Sequence, residues 1–304
     1  MYTIRKISAH PTIDFAAEEL KKYLRMMMPH CGEIPILSDG SAGDGFRLGL
    51  MSDFGLDVSD AQDPCLDDIV YIAADAVGGV IAGSNPGAAL IPVYRYLRFC
   101  GCRWLFPGVD GEWIPIIERL PEVRYRKLAD HRYRGQCNEG AEYQPDMIES
   151  IDFTPKIGMN TYMIEFDNPY VYYRSYYDHV HNTVREPEPV APETVLQWKR
   201  QCEVEIQKRG LRFHDMGHGW TAEPFGISST GGWAKSSEAA VPAESRQYLA
   251  ETNGKRQLHN GIPLNTNICL SNPEARRIMA EYIANYAEVQ NNVDYLHIWL
   301  ADDS

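Results

Sequence analysis

The first 128 residues combine two helix-like and several strand-like patterns of apolar side chains. Apolar residues recur at helical spacing from Thr12, the predicted N-cap, to a break at Pro29, and again over 87–99. Short apolar or alternating runs predict strands at 2–7, 46–50, 68–72, 77–82, 102–108 and 123–125. This order is typical of an α+β domain, in which the helices cover one face of a sheet.

From residue 130 onward, the pattern changes to a regular alternation of strand and helix. The predicted strands are 133–136, 161–166, 211–216 and 293–300, and the predicted helices are 146–157, 192–209 and 273–287. Asn272 is the expected N-cap of the third helix, because Pro273 suits the first helical position. Strict alternation predicts parallel strands that are joined by right-handed crossovers.

Composition and charge narrow the classes of function. The chain has 304 residues, of which 44% are hydrophobic and 23% charged, so it is expected to fold into about two globular domains. It carries 42 acidic and 29 basic side chains, for a net charge of −13. Nucleic acid and anionic membranes are therefore poor partners. No run approaches the ~18 apolar residues of a membrane-spanning helix.

The spacing of the cysteines and the first residues of the chain give an expectation for the cellular compartment of the protein. Seven scattered cysteines, with only Cys100 and Cys102 close together, predict buried free thiols. The first residues lack the apolar segment of a signal peptide, so a cytoplasmic location is expected, or a secreted or periplasmic one if a leader was removed. Neither a P-loop nor a Rossmann glycine motif occurs, so we expect no cofactor.

Specific blocks of residues resemble known glycosidases. The helix over 15–27, the Ile-Ala-Gly-Ser turn at 81–84 and the Gly-Cys-Arg-Trp-Leu-Phe-Pro-Gly block at 101–108 resemble the small α+β domain that precedes the barrel in family 20 hexosaminidases and family 67 α-glucuronidases. The second half, with Gly-His-Gly-Trp at 217–220, is similar to the start of a (β/α)8 glycosidase barrel. Taken whole, the chain most resembles the DUF4838 family of bacterial glycosidase relatives.

This resemblance implies an α+β domain over residues 1–125 and the first half of a (β/α)8 TIM-type barrel over 126–304. A complete barrel takes ~250 residues, whereas 174 residues follow residue 130. Only four barrel strands are predicted, and four parallel strands do not close a barrel. We therefore expect a fragment, with the other half of the barrel and the second catalytic carboxylate beyond Ser304.

Active sites in this fold lie at the carboxyl ends of the strands, and this rule selects candidate residues. A histidine there can bind sugar hydroxyls or carry a proton, and an indole face can pack against a pyranose ring. The expected substrate-binding residues, in strand order, are Asn138, Glu139, Glu165, Asp215, His218 and Trp220.

The fourth strand ends at Asp302 and Asp303, which are the predicted catalytic residues. Glycosidic cleavage needs a carboxylic acid for the leaving oxygen and a second group that stabilises the oxocarbenium-like centre. In both related families the acid lies at this strand end, so the resemblance implies a catalytic role for Asp302. The chain has Asp-Asp where one family has Asp-Glu and the other has Glu. Neighbouring strand residues point to opposite sides, so one of the two is expected to face the site.

Three functional hypotheses follow. The first is a glycoside hydrolase that acts on a complex, acidic or N-acetylated glycan. The second is a non-catalytic glycan-binding protein, because the Asp-Asp pair departs from the family pattern. The third is a metal-dependent hydrolase that uses His214, Asp215 and His218. The spacing of the two histidines suits ligands on a helix, whereas this segment is predicted as a strand end, so no metal site is expected.

Overall fold

A computed structural model describes residues 2–38 and 44–302 of the chain. Over these residues the architecture is mixed α/β, with several sheets and six α-helices. The chain divides into two compact units: unit 1 is Met1–Gln136, Pro145–Tyr162 and Cys202–Arg212, and unit 2 is Cys137–Gln144, Met163–Gln201 and Phe213–Ser304. No helix in the described part of the chain is long and apolar enough to cross a bilayer.

Unit 1 is organised around a six-stranded mixed sheet. Its elements are β1 (Ile4–Lys6), α1 (Pro11–Met27), β2 (Ile36–Leu37), β3 (Phe46–Leu50), β4 (Ile69–Ala74), β5 (Gly79–Gly83), α2 (Ile91–Phe99), β6 (Arg103–Trp104), β7 (Glu112–Trp113) and β8 (Val123–Leu128). The strand order is β2-β1-β3-β5-β4-β8, and β4 runs antiparallel to both of its neighbours. Apolar residues of α1, α2 and the sheet share one core, as the sequence pattern predicts.

The start of α1 differs from the prediction. His10 is the N-cap, with extended backbone, and its Nδ1 accepts a hydrogen bond from the Thr12 amide at 3.2 Å. Pro11 occupies the first turn, where its fixed φ and missing N–H are tolerated. Thr12 therefore lies inside the helix rather than capping it, and histidine takes the capping role that serine or threonine usually fills.

The cysteines are all free thiols, but their burial was only partly predicted. Cys100, Cys102 and Cys202 are buried, whereas Cys65 and Cys137 are exposed. Burial raises the pKa of both Cys100 and Cys102 to about 12, so these thiols are unreactive packing groups.

The second half of the chain forms a four-stranded sheet in the order β14-β11-β10-β9. Its strands and helices are β9 (Gly135–Asn138), α3 (Gln144–Lys156), β10 (Thr161–Glu165), α4 (Tyr170–Tyr177), α5 (Pro192–Lys208), β11 (Arg212–Gly217), α6 (Pro273–Val289) and β14 (Tyr295–Ile298), with a hairpin of β12 (Glu251–Thr252) and β13 (Lys255–Arg256) before α6. Each strand lies beside its neighbours in this order, and β11 and β14 are parallel. The predicted strands and helices occur in the predicted order, but two helices, α4 and α5, join β10 to β11, and the β12–β13 hairpin precedes α6.

Two helices show where the sequence pattern succeeds and fails. Asn272 caps α6 as predicted, because its Oδ1 accepts from the amides of Glu274 (2.9 Å) and Ala275 (3.3 Å). Helix α4 was not predicted. Its tyrosine-rich sequence has a modest intrinsic helix propensity, and its side chains show no clear separation into apolar and polar positions at helical spacing.

Candidate functional site

Three strand ends bring together Glu165, His218, Trp299 and Asp302, which we call the strand-end cluster. Glu165 is the last residue of β10, and His218 directly follows β11. His218 Nε2 lies 3.6 Å from Asp302 Oδ1, and the His218 ring meets the Trp299 ring edge-on with centroids 5.2 Å apart. The sheet therefore brings four residues from separate parts of the sequence close together.

The cluster has an open edge and a buried base. The Asp302 side chain is 66% exposed, and the His218 side chain is 12% exposed. Glu165, by contrast, is buried with 2% of its surface accessible. A ligand in solvent can therefore reach Asp302 directly, whereas Glu165 lies beneath the accessible groups.

Burial sets the electrostatics of Glu165. Desolvation raises the pKa of this carboxyl, while the Tyr172 hydroxyl, which donates to Oε2 at 2.7 Å, and the nearby His218 lower it. Burial wins, so Glu165 retains a proton at higher pH than an exposed glutamate does. Its Oε1 is also buried and has no hydrogen-bond partner in the described part of the chain.

The backbone at the strand ends is strained. Phe166 (φ 67°) and Met216 (φ 70°) both lie in the left-handed region, although neither is glycine. The Phe166 amide donates to the Met216 carbonyl at 3.2 Å, which ties the two strained positions together. Such strain costs about 1–3 kcal/mol per residue and clusters at functional sites. Here one strained residue directly follows Glu165, and the other lies within β11, directly before Gly217.

A buried ion pair lies beside these two strained residues. Lys199 Nζ donates to Asp215 Oδ1 at 2.7 Å and to the Phe166 carbonyl at 2.8 Å, and both charged side chains are fully buried. The Tyr286 hydroxyl donates to the other carboxylate oxygen, Oδ2 of Asp215, at 2.7 Å. The predicted role of Asp215 as a sugar ligand is therefore corrected: its carboxylate is inaccessible and already engaged, and it is a support for the strand end.

The predicted role of Trp220 also needs correction. Its side chain is fully buried, its Nε1 donates to the His297 carbonyl at 2.8 Å, and its ring packs edge-on against Tyr286. A buried indole offers no face to a pyranose ring. The accessible aromatic surface instead comes from Trp299, which is half-buried beside His218.

Trp233 is a second accessible tryptophan. It does not lie at the end of a strand, so the rule that places active sites at strand ends does not select it. It is 42% exposed and packs against Phe166 and Tyr172, with ring centroids 6.0 and 6.2 Å apart. Trp299 could have been found in the sequence, because it lies at the end of the fourth strand. Trp233 carries no such signal, since it belongs to a segment without strands between β11 and β12.

The remaining predicted residues lie around the first and fourth strands. Asn138 is the half-buried last residue of β9, and the next residue, Glu139, is exposed. The charge of Glu139 contributes to the raised pKa of Glu165, which places Glu139 near the strand-end cluster. Asp303 lies outside the described residues.

A small cavity of about 110 Å³ adjoins the cluster at His218. Phe166, Asp167, Met216, Glu223 and Tyr286 contribute to its lining. Most of these residues belong to the strained turns or to the network around Asp215, so the support network also shapes a concave surface.

The three residues of the metal hypothesis do not form a ligand set. His214 Nδ1 lies 2.8 Å from His297 Nε2, and Asp215 is engaged by Lys199 and Tyr286. Across residues 2–38 and 44–302, no group of three His, Cys, Asp or Glu side chains is arranged to hold a metal ion.

Gly217 allows Glu165 and Trp299 to approach each other. Its φ is 110°, and a Cβ at this position would lie 2.9 Å from the Trp299 ring and 3.1 Å from Glu165 Cγ. We expect Gly217→Ala to displace Trp299 and to lower stability by about 1–3 kcal/mol, measured by urea denaturation and tryptophan fluorescence.

Gly219→Ala is the matched control for this prediction. Gly219 has the same φ of 110°, but a Cβ there would meet its nearest atoms at 3.7 Å, an ordinary contact. It carries the backbone strain without the collision, so the fluorescence of Trp299 should stay as in the wild type. Equal fluorescence changes in the two variants would contradict the packing account.

Comparisons with known proteins bear on the fold alone. No family model matches the chain, and no curated protein matches it. Solved structures do match over almost the whole chain at 12% identity. They include a GH20 β-N-acetylhexosaminidase from Streptomyces coelicolor A3(2) (TM-score 0.50, 98% of this chain, 55% of that one) and a Flavobacterium johnsoniae chitobiase (0.51, 98% and 41%).

A third match is a GH115 4-O-methyl-α-glucuronidase with specificity for decorated arabinogalactans, with a TM-score of 0.52 over 96% of this chain and 40% of that one. The chain thus spans between 40% and 55% of the length of these three structures. The chain has a glycosidase-like fold, shared with glycoside hydrolase structures of more than one family.

Proposed function

We propose that this chain is part of a glycoside hydrolase of the DUF4838 type. In this proposal, residues 1–125 are the accessory α+β domain and residues 126–304 are the front half of a (β/α)8 barrel. The observation that carries the proposal is the strand-end cluster. Glu165, His218 and Asp302 lie at the ends of three adjacent strands, which is where (β/α)8 enzymes build their active sites.

In the proposed reaction, the chain hydrolyses an O-glycosyl bond with Asp302 as the catalytic carboxyl. Asp302 is the accessible acidic group of the cluster, and His218 beside it can hydrogen-bond the sugar or exchange a proton. The exposed part of the Trp299 ring offers an apolar surface to the sugar. Glu165, beneath them, is a positioning residue, and His218 acts on its carboxyl by lowering its pKa.

The proposed substrate is an acidic or N-acetylated glycan. The similar structures carry the names β-N-acetylhexosaminidase, chitobiase and 4-O-methyl-α-glucuronidase. Fold-level likeness at 12% identity is a weak guide to substrate, so these names define the panel of glycans to be tested and do not select one of them.

The test is release of sugar from defined oligosaccharides by the full-length protein. The panel has terminal N-acetylhexosamine or uronic acid residues, with neutral-sugar oligosaccharides for comparison. We expect at least one acidic or N-acetylated member to yield a stoichiometric monosaccharide product, followed by chromatography. No product from any member over long incubation would contradict the proposal.

A non-catalytic glycan-binding protein is the second candidate. The observation in its favour is that Glu165, a carboxyl of the cluster whose pKa burial raises, is itself inaccessible to a ligand. Saturable binding on a glycan array by the same preparation, without product, would select this function over hydrolysis.

A further inference from the structure

A second buried glutamate lies beside the strand-end cluster without a role in the proposed reaction. Glu142 follows β9 and is 5% exposed. Its backbone amide donates to the Tyr172 carbonyl at 3.1 Å, which anchors it next to the residue whose hydroxyl binds Glu165. Neither of its carboxylate oxygens has a hydrogen-bond partner within the described residues.

Buried polar atoms without partners are costly, and here three of them belong to two neighbouring carboxyls. They are both oxygens of Glu142 and Oε1 of Glu165. Two carboxylates have only acceptors, so as anions they repel and cannot satisfy each other. One added proton removes this repulsion, because a neutral Glu142 no longer carries a buried charge beside Glu165.

The ionisable groups around the pair favour that proton. Burial raises the pKa of Glu142 to about 8, and the charge of Glu165 adds to the effect. Cys137, Glu139 and Tyr172 also face the pair, and none of these three supplies a positive charge. His218 acts in the opposite direction and lowers the pKa of Glu165.

We propose that Glu142 and Glu165 share one proton at neutral pH and act together as positioning residues behind His218. The functional part of this inference rests on the proposed hydrolase activity, whereas the sharing of the proton does not. A coupled pair of this kind releases its two protons in separate steps that belong to the pair as a whole. The shared proton would keep the pair close to a single negative charge at pH values well below the midpoint near 8.

The experiment is carboxyl ¹³C NMR of the full-length protein labelled at glutamate, titrated from acidic to alkaline pH without substrate. The wild type should show one carboxyl with a midpoint near pH 8. Glu142→Gln should abolish that step, because the carboxyl that titrates there is gone. A wild type in which every glutamate titrates below about pH 6 would overturn the proposal.

Two further variants test whether the titration step near pH 8 depends on Glu165 and is independent of Glu139. Glu139→Gln changes an exposed glutamate of the same segment and should leave the step near pH 8 in place. Glu165→Gln should lower the midpoint of Glu142, because its like-charged neighbour is gone. A step that survives in Glu142→Gln, or a midpoint that does not move in Glu165→Gln, would contradict the sharing of a proton.

The pH dependence of folding stability tests the same proton independently. The pKa of Glu142 is raised from 4.5 to about 8, so the folded state holds a proton that the unfolded chain has released. Wild-type stability should therefore decline as pH rises from 4.5 to about 8, and Glu142→Gln should remove that decline. If the NMR step is present but no glycan is cleaved, the paired proton stands and the hydrolase proposal fails. If glycans are cleaved but the step is absent, this inference fails alone.

Discussion

Replacing Lys199 by methionine is expected to lower the free energy of unfolding by about 3–5 kcal/mol, because it leaves a buried carboxylate without its cation. Lys199 and Asp215 are both fully buried and lie 2.7 Å apart. Lys199 also holds the carbonyl of Phe166, the strained residue after β10. The measurement is urea denaturation followed by tryptophan fluorescence.

A lysine on the same helix provides the matched control. Lys208 Nζ lies 3.4 Å from Glu205, and its side chain is 44% exposed. Exposed ion pairs contribute about 0–1 kcal/mol, so Lys208→Met should cost no more than that. Adding Asp215→Asn to Lys199→Met should recover part of the lost stability. Equal losses in Lys199→Met and Lys208→Met would show that the buried pair does not support the strand end.

The second large effect concerns activity. Asp302→Asn is expected to reduce kcat on a cleaved glycan by about 10²–10⁴-fold, which is the usual contribution of a positioned acid or base. The amide keeps the shape of the side chain but can neither release a proton nor carry a negative charge. Because Asp302 is 66% exposed, the substitution should leave folding unchanged.

Asp178→Asn is the control for this variant. Asp178 is a partly exposed aspartate of unit 2 that follows α4 and pairs with Arg174 across one helical turn, outside the strand ends. Its kcat should equal that of the wild type. A similar loss of activity in both variants would indicate a general effect of removing surface charge.

The order of the elements could be predicted from the sequence because each element depends on local signals. Apolar periodicity locates the helices and strands, and the Asn272–Pro273 pair locates the start of α6. The strand-end rule selects Glu165, His218 and Asp302 together, because each of them lies at the end of a predicted strand. These positions share a cause, since the period and the ends of an element are encoded in neighbouring residues.

Burial at the strand ends was not predictable in the same way. Asp215 and Trp220 have the residue types of a sugar site, but both are buried and both contact Tyr286 of α6. Lys199 has the pattern of a polar residue on an amphipathic helix, yet it is fully buried because Asp215 neutralises it. Such pairings join distant positions, so no local pattern reveals them.

Turnover and Kd of the wild type and of Asp302→Asn, measured on one glycan with the same preparations, test whether Asp302 is the catalytic carboxyl. We expect the wild type to release product and the variant to lose at least about 10² in kcat, with a Kd close to the wild-type value. Full turnover by the variant would remove Asp302 from the mechanism. Binding by both proteins without any product would contradict hydrolysis at the strand-end cluster.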